Sequence, residues 1–152
     1  EEDDYLKIRS RTDCPCGSGK IYHECCRPLH IGKAHAKTAE ELMRSRYSAY
    51  FFRLVDYIYS TTHPDVRGPE LIVDLDNTIN DSMWRNLQII NSSKGTAEDK
   101  KGKVEFIAQY HHDGKFKEMH EKSRFRKHKG KWKYSLVMSP DFNVINKNTL
   151  YF

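Results

Sequence analysis

The spacing of apolar residues changes near residue 83. Before that point Leu42, Met43, Tyr47, Tyr50, Phe51, Leu54, Tyr57 and Ile58 recur at intervals of three and four. That spacing predicts a helical segment of about six turns with one broad apolar face, divided near Leu54 into two helices. Thr38-Ala-Glu-Glu41 reads as a capping box that opens it. Thr62-His63-Pro64 closes it, because the residue before proline disfavours helix. ELIVDLDNTINDS, residues 70–82, predicts a further short helix or turn.

From Met83 a period of two takes over. Trp84, Leu87 and Ile89 predict a first strand, closed by the loop SSKGTAEDKKG. Val104, Phe106, Ala108 and Tyr110 alternate with Glu105, Ile107 and Gln109 in a second strand. Asp113-Gly114 is a strong hairpin signal. In the third strand Met119, Glu121, Ser123 and Phe125 share a face, and Lys129-Gly130 makes the next turn. Trp132, Tyr134, Leu136 and Met138 alternate in a last strand that Pro140 stops. Helices followed by an antiparallel meander predict an α+β domain over residues 38–152, with helices across one face of a curved sheet. Residues 1–13 lack periodicity and are expected to be a flexible leader, and residues 31–37 a linker.

Between them lies CPCGSGKIYHECC, residues 14–26, which holds all four cysteines of the chain. Disulfides within Cys14–Cys16 or Cys25–Cys26 would close very tight rings. No apolar signal segment opens the sequence, so reduced thiols in the cytoplasm are expected. A C-x-x-C redox motif is absent. Two close thiol pairs around a glycine-containing turn suit one tetrahedral metal ion. Cys14, Cys16 and Cys25 are three expected ligands; Cys26 is the preferred fourth, with His23 and His30 as rivals, and a Cys3His site through His30 would also be tetrahedral. Thiolate coordination suits zinc and also iron, with zinc the expected ion. Four thiolates and a dication sum to −2, opposite in sign to the flanking Lys20 and Arg27. Residues 14–30 are too few to form a core, so the ion is expected to supply their folding energy. The domain beyond Thr38 is expected to survive its loss.

CPCGSGKIYHECC resembles the SEC-C motif, a small metal-binding module found at the end of the SecA translocation ATPase and in other proteins. LMRSRYSAY at residues 42–50, THP at 62–64 and EKSRF at 121–125 resemble the YchJ-like family. The resemblance spans about residues 14–139. It implies a nuclear-transport-factor-two-like (cystatin-like) cone and a partner in protein export or translation.

Hydrophobic residues are 38% of the 152-residue chain, enough for one core. No run approaches a membrane span. The net charge is +5, and residues 94–133 hold 13 Lys/Arg against six Asp/Glu. This stretch reads either as a solvated sheet face or as an attraction for RNA, ribosome or an acidic protein. Asp56, Tyr57, His63, Glu121, Ser123 and Arg124 are the polar residues placed to line a pocket, with His63, Glu121 and Arg124 foremost. The competing structural expectation pairs a buried Glu121 with Arg44 or Arg46. A non-enzymatic metal-binding accessory protein is therefore the leading expectation. An enzyme or small-molecule binder is the alternative.

Overall fold

The computed structural model describes residues 11–137. Helix α1 is Arg27–His30, α2 Ala39–Phe52, α3 Val55–Ser60 and α4 Glu70–Thr78. Strands β1 Ser82–Lys94, β2 Lys101–His112, β3 Lys115–His128 and β4 Lys131–Val137 form one open antiparallel sheet in sequence order. The α+β arrangement expected from the two periodicities is the one observed.

Helix α2 begins at the expected cap. Thr38 accepts a hydrogen bond from the Glu41 amide at 3.1 Å, and the Glu41 carboxylate accepts from the Lys37 amide at 3.3 Å. The helical run breaks at Arg53, which takes the left-handed conformation with φ 62°. Its amide is held by the carbonyls of Ala49 and Tyr50, and Leu54 then leads into α3. Helix α2 packs on β1, β2 and β4. Met43, Tyr47 and Tyr50 are buried there with Phe106, Phe125 and Tyr134.

Both hairpins turn where expected, with positive φ at Asp113-Gly114 and at Lys129-Gly130. The first connection is shorter than expected: β1 runs to Lys94 and β2 starts at Lys101, which leaves only residues 95–100 as loop. Three register shifts interrupt the alternation, one of them between Ile89 and Asn91 of β1. In β1 the register shifts between Trp84 and Asn86, so Trp84 and Leu87 both face the core despite their odd spacing. The β3–β4 pairing shifts after Phe125–Tyr134, and Arg124 then opposes Leu136. Ser135 is consequently buried, and Leu136, expected inward, is exposed. Met138 and Pro140 lie outside the described residues.

The expected 1–13 leader is also shorter where it is described. The Thr12 carbonyl accepts from the Tyr22 amide at 2.8 Å, and Asp13 pairs with Ile21, so the cysteine module starts by Thr12. No helix among the described residues is long and apolar enough to cross a membrane.

A side chain at Arg53 carries the left-handed penalty of about 1 kcal/mol that glycine escapes. Arg53→Gly should therefore stabilise the protein by up to about that amount in urea unfolding. Destabilisation would show that the arginine side chain contributes more than its backbone costs.

Candidate metal centre

A small hairpin presents the first two thiols. The Cys14 amide donates to the Lys20 carbonyl at 2.8 Å and the Gly17 amide to the Cys14 carbonyl at 3.2 Å. Gly17 and Gly19 take φ of 78° and 86° to make the curl. Gly17 is constrained further, because a Cβ there would meet the Leu87 carbonyl oxygen at 3.2 Å. A 3₁₀ turn at Tyr22–Glu24 follows, and the chain bends at Cys25. Cys26 then caps α1, its carbonyl accepting from the amides of Leu29 and His30. That bend lets two adjacent cysteines turn toward one point.

The four Sγ atoms all lie within 4.8 Å of one another. Cys16 and Cys25 are 3.5 Å apart, and Cys25 and Cys26 are 3.9 Å apart. A tetrahedral ion with ~2.3 Å metal–sulfur bonds requires sulfur separations of about 3.8 Å. The donor set therefore fits one ion with four protein ligands. Cys14, Cys16 and Cys26 are buried, and Cys25 is half-buried. Without a cation the four thiols cannot all ionise together. A Cys16 thiolate is favoured by hydrogen bonds from Cys14 first, then Cys25 and Cys26. The contact with Cys16 pushes the Cys14 thiol up, and Cys14 foremost pushes Cys26 up. A bound dication would reduce that mutual penalty.

Helix α2 supplies the surroundings. Ser48 Oγ donates to Cys26 Sγ at 3.4 Å and lies 3.5 Å from Cys14 Sγ. Ser18 Oγ is 3.1 Å from Cys25 Sγ. Arg44 donates to the Cys16 carbonyl at 2.7 Å and to Glu40 at 3.0 Å. Sequence reasoning does not single out the serines or Arg44 as site residues. The one signal for them is the i, i+4 spacing of Arg44 and Ser48 on one helix face.

His30, the alternative ligand, is committed elsewhere. Its Nε2 is 2.8 Å from the Ser45 carbonyl, which can only accept, so Nε2 carries the proton. Nδ1 then accepts from the Tyr22 hydroxyl at 2.7 Å. Burial lowers the His30 pKa to about 4, which keeps the ring neutral. Nε2 joins the module to α2, Nδ1 ties it internally to Tyr22, and neither is left for a metal. Tyr22 is fully buried against Phe52, with ring centroids 4.7 Å apart.

The expected pocket residues do not converge. His63 is buried, donates its amide to the Tyr134 carbonyl at 2.8 Å, and packs on His128 at 5.1 Å. His128 and Glu121 are seven residues apart on β3, or about 23 Å at the usual strand rise. Arg124 alternates with Ser123 and Phe125 and so lies on the opposite face from Glu121. Asp56 is exposed, and the Tyr57 hydroxyl is bonded to Ser45 Oγ at 2.7 Å.

Neither expected arginine pairs with Glu121. Arg44 serves the cysteine module, as described. Arg46 is fully buried and donates to Ile58 O, Thr61 Oγ1 and Thr62 Oγ1 at the end of α3. Glu121 is 5% exposed, and among the described residues its Oε2 has no hydrogen-bond partner. The Ser123 hydroxyl beside it is likewise unpartnered. Burial alone raises the Glu121 pKa to about 7.

Known proteins are similar to this chain in sequence and in fold. A family model described as the middle, NTF2-like domain of YchJ matches residues 38–136. A UPF0225 protein from Geobacter sulfurreducens is 43% identical over 122 residues, covering 80% of this chain and 76% of that protein. One from Chromobacterium violaceum is 41% identical over 128 residues, covering 84% and 93%. The solution structure of a SEC-C motif-containing protein from Rhodopseudomonas palustris has a TM-score of 0.73 at 37% identity, covering 83% of this chain and 97% of that one. A crystal structure of a SEC-C motif-containing protein from Psychrobacter arcticus has a TM-score of 0.69 at 27% identity, covering 88% and 84%.

Cys14→Ser and Cys26→Ala should each lose the ion, and Ser48→Ala should weaken it about tenfold, since its hydroxyl supports two of the sulfurs. His30→Ala should keep the ion while destabilising the fold by about 2 kcal/mol. Elemental analysis and chelator competition read these, and metal loss in His30→Ala with retention in Cys26→Ala would reverse the ligand assignment. For Glu121, the folded pKa of about 7 exceeds the ordinary value of 4.5. Its contribution is therefore complete below about pH 4.5 and lost as pH rises toward 7. Glu121→Gln should stabilise the protein by about 2 kcal/mol at pH 8 and by little at pH 4.5. Equal effects at both pH values would mean that Glu121 does not carry the proton.

Proposed function

The chain belongs to the YchJ-like, UPF0225 family, whose solved neighbours carry the SEC-C motif, and we propose that it is a non-enzymatic metal-binding accessory protein. The ion is zinc, and its role is structural. The supporting observation is the closed thiol cluster: four sulfurs within 4.8 Å of one another supply four ligands and leave no open position for a substrate. When bound, the ion would offset half of the thiolate charge and fix the hairpin, the Cys25 bend and the start of α1 against α2.

Its partner belongs to the cytoplasmic protein-export or translation machinery, with the ribosome the favoured candidate. The basic stretch lies mostly on the sheet. Lys101, Arg126 and Lys133 are direct cross-strand neighbours, and Asp65, paired with Arg126 at 3.1 Å, offsets only one of these charges. An anionic partner gives them a purpose. Lys115, Lys117 and Lys129 are exposed at the hairpin ends. Lys20 offers a second contact point on the cysteine module, where it is exposed; Tyr22 cannot serve because it is buried.

A second reading, an enzyme or small-molecule binder using the space between helices and sheet, draws on Glu121 alone. It lacks the His63 partner that acid–base chemistry would need.

The purified protein should hold one zinc per chain. Ribosome co-sedimentation should fall steeply with salt, because phosphate contacts release counterions. Replacing Lys115, Lys117 and Lys129 with Gln should reduce retention without changing the fold, whereas loss only with Lys20→Glu would move the contact to the cysteine module. Absence of retention at low salt, with metal content intact, would reject the ribosomal partner and leave the structural metal standing.

A further inference from the structure

A cavity of about 450 Å³ opens at the seam between the cysteine module and the domain. Its walls are Leu29 and Ala36 from the module and linker, Tyr57 from α3, and Lys131, Trp132 and Lys133 from β4. Its size suits a compact organic molecule.

The aromatic walls have spent their polar atoms inside the protein. The Trp132 indole N–H donates to the Lys37 carbonyl at 3.1 Å, and the Tyr57 hydroxyl is bonded to Ser45. Trp132 is 3% exposed and gives the cavity only an edge, so the half-buried Tyr57 ring is the aromatic wall with the more open surface. The charged groups are unbalanced. Lys133 is half-buried and donates to the Ser60 carbonyl at 2.6 Å. An ammonium has three donors, so two remain for a ligand. No carboxylate among the described residues lies within ion-pair distance of Lys133 or Lys131. Asp56 stands exposed on the α3 wall and pairs with neither. Burial first, then the nearby charges of Arg67, Lys131 and Arg46, lower the Lys133 pKa. A bound anion would relieve that crowding.

We propose that this seam cavity binds a small organic anion with a flat apolar body, such as an aromatic carboxylate, its charge held by Lys133 and its body against Tyr57. The site is independent of the role assigned to the metal centre.

Sodium benzoate is the probe, titrated into the metal-loaded full chain and followed by ¹H–¹⁵N NMR. Saturable shifts are expected at residues 29–36, at Lys131 and Lys133, and at the Trp132 indole. Benzamide, which has the same shape without the charge, should bind about tenfold more weakly. Lys133→Met should lose a similar factor, whereas Lys133→Arg should retain most of the affinity. Equal binding of benzamide and benzoate, or full affinity in a folded Lys133→Met protein, would overturn the proposal. So would the absence of saturable shifts up to about 10 mM benzoate, a generous limit for so small a probe. If Lys133→Met fails to fold, benzoate against benzamide on the unaltered protein decides the question. Metal content reports separately on the metal-centre reading.

Discussion

One constraint organises the molecule: four thiols must meet at a point that is itself part of the protein core. Cys14, Cys16 and Cys26 are buried in the same cluster as Leu42, Met43, Tyr47 and Phe125. The contact that fixes them there is with α2. Ser48 reaches Cys14 and Cys26, Arg44 holds the Cys16 carbonyl, and His30 bridges Tyr22 to Ser45. A helix that would otherwise pack only on the sheet therefore has two buried sides. Its sheet side carries Met43, Tyr47 and Tyr50, and its other side carries the polar groups that receive the cysteine module. The short polar residues inside the LMRSRYSAY stretch are explained by this second side.

The same constraint accounts for the distribution of buried charge. Arg46 could have neutralised Glu121 across the core. It is instead drawn to the carbonyl and hydroxyl oxygens at the end of α3, which the Arg53 break leaves near it. There it also lies over the Tyr134 ring, 4.8 Å from its centroid. Glu121 is left to be buried as a neutral acid, which costs less than burying an unpaired carboxylate.

Much of the scaffold was legible in the sequence because its signals are local. Thr38 and Glu41 form a cap within one turn, and Asp113-Gly114 and Lys129-Gly130 turn by backbone preference alone. The cysteine spacing brought the four thiols together as expected. What was not legible depends on contacts between distant segments. None of the register shifts has a local marker, so Leu136 was expected inside and is outside. The partners of Glu121 could not be read from charge alone, because Arg44 and Arg46 found carbonyls rather than its carboxylate. The module's size suggested a separate, tethered unit. Nothing in residues 14–30 alone indicated that Tyr22 and His30 would be buried against Phe52 and Tyr57 of the domain.

The metal module and the α+β domain thus share one core and are expected to unfold together. The direct measurement is thermal unfolding of the metal-loaded protein with and without a strong chelator, followed at two places. Amide signals from residues 14–30 report the module, and the fluorescence of Trp84 and Trp132 reports the domain. The shared core predicts a single transition at both probes, moved to lower temperature together by the chelator. Loss of the module's signals while the tryptophan transition stays where it was would contradict it, and would show that the module is merely tethered.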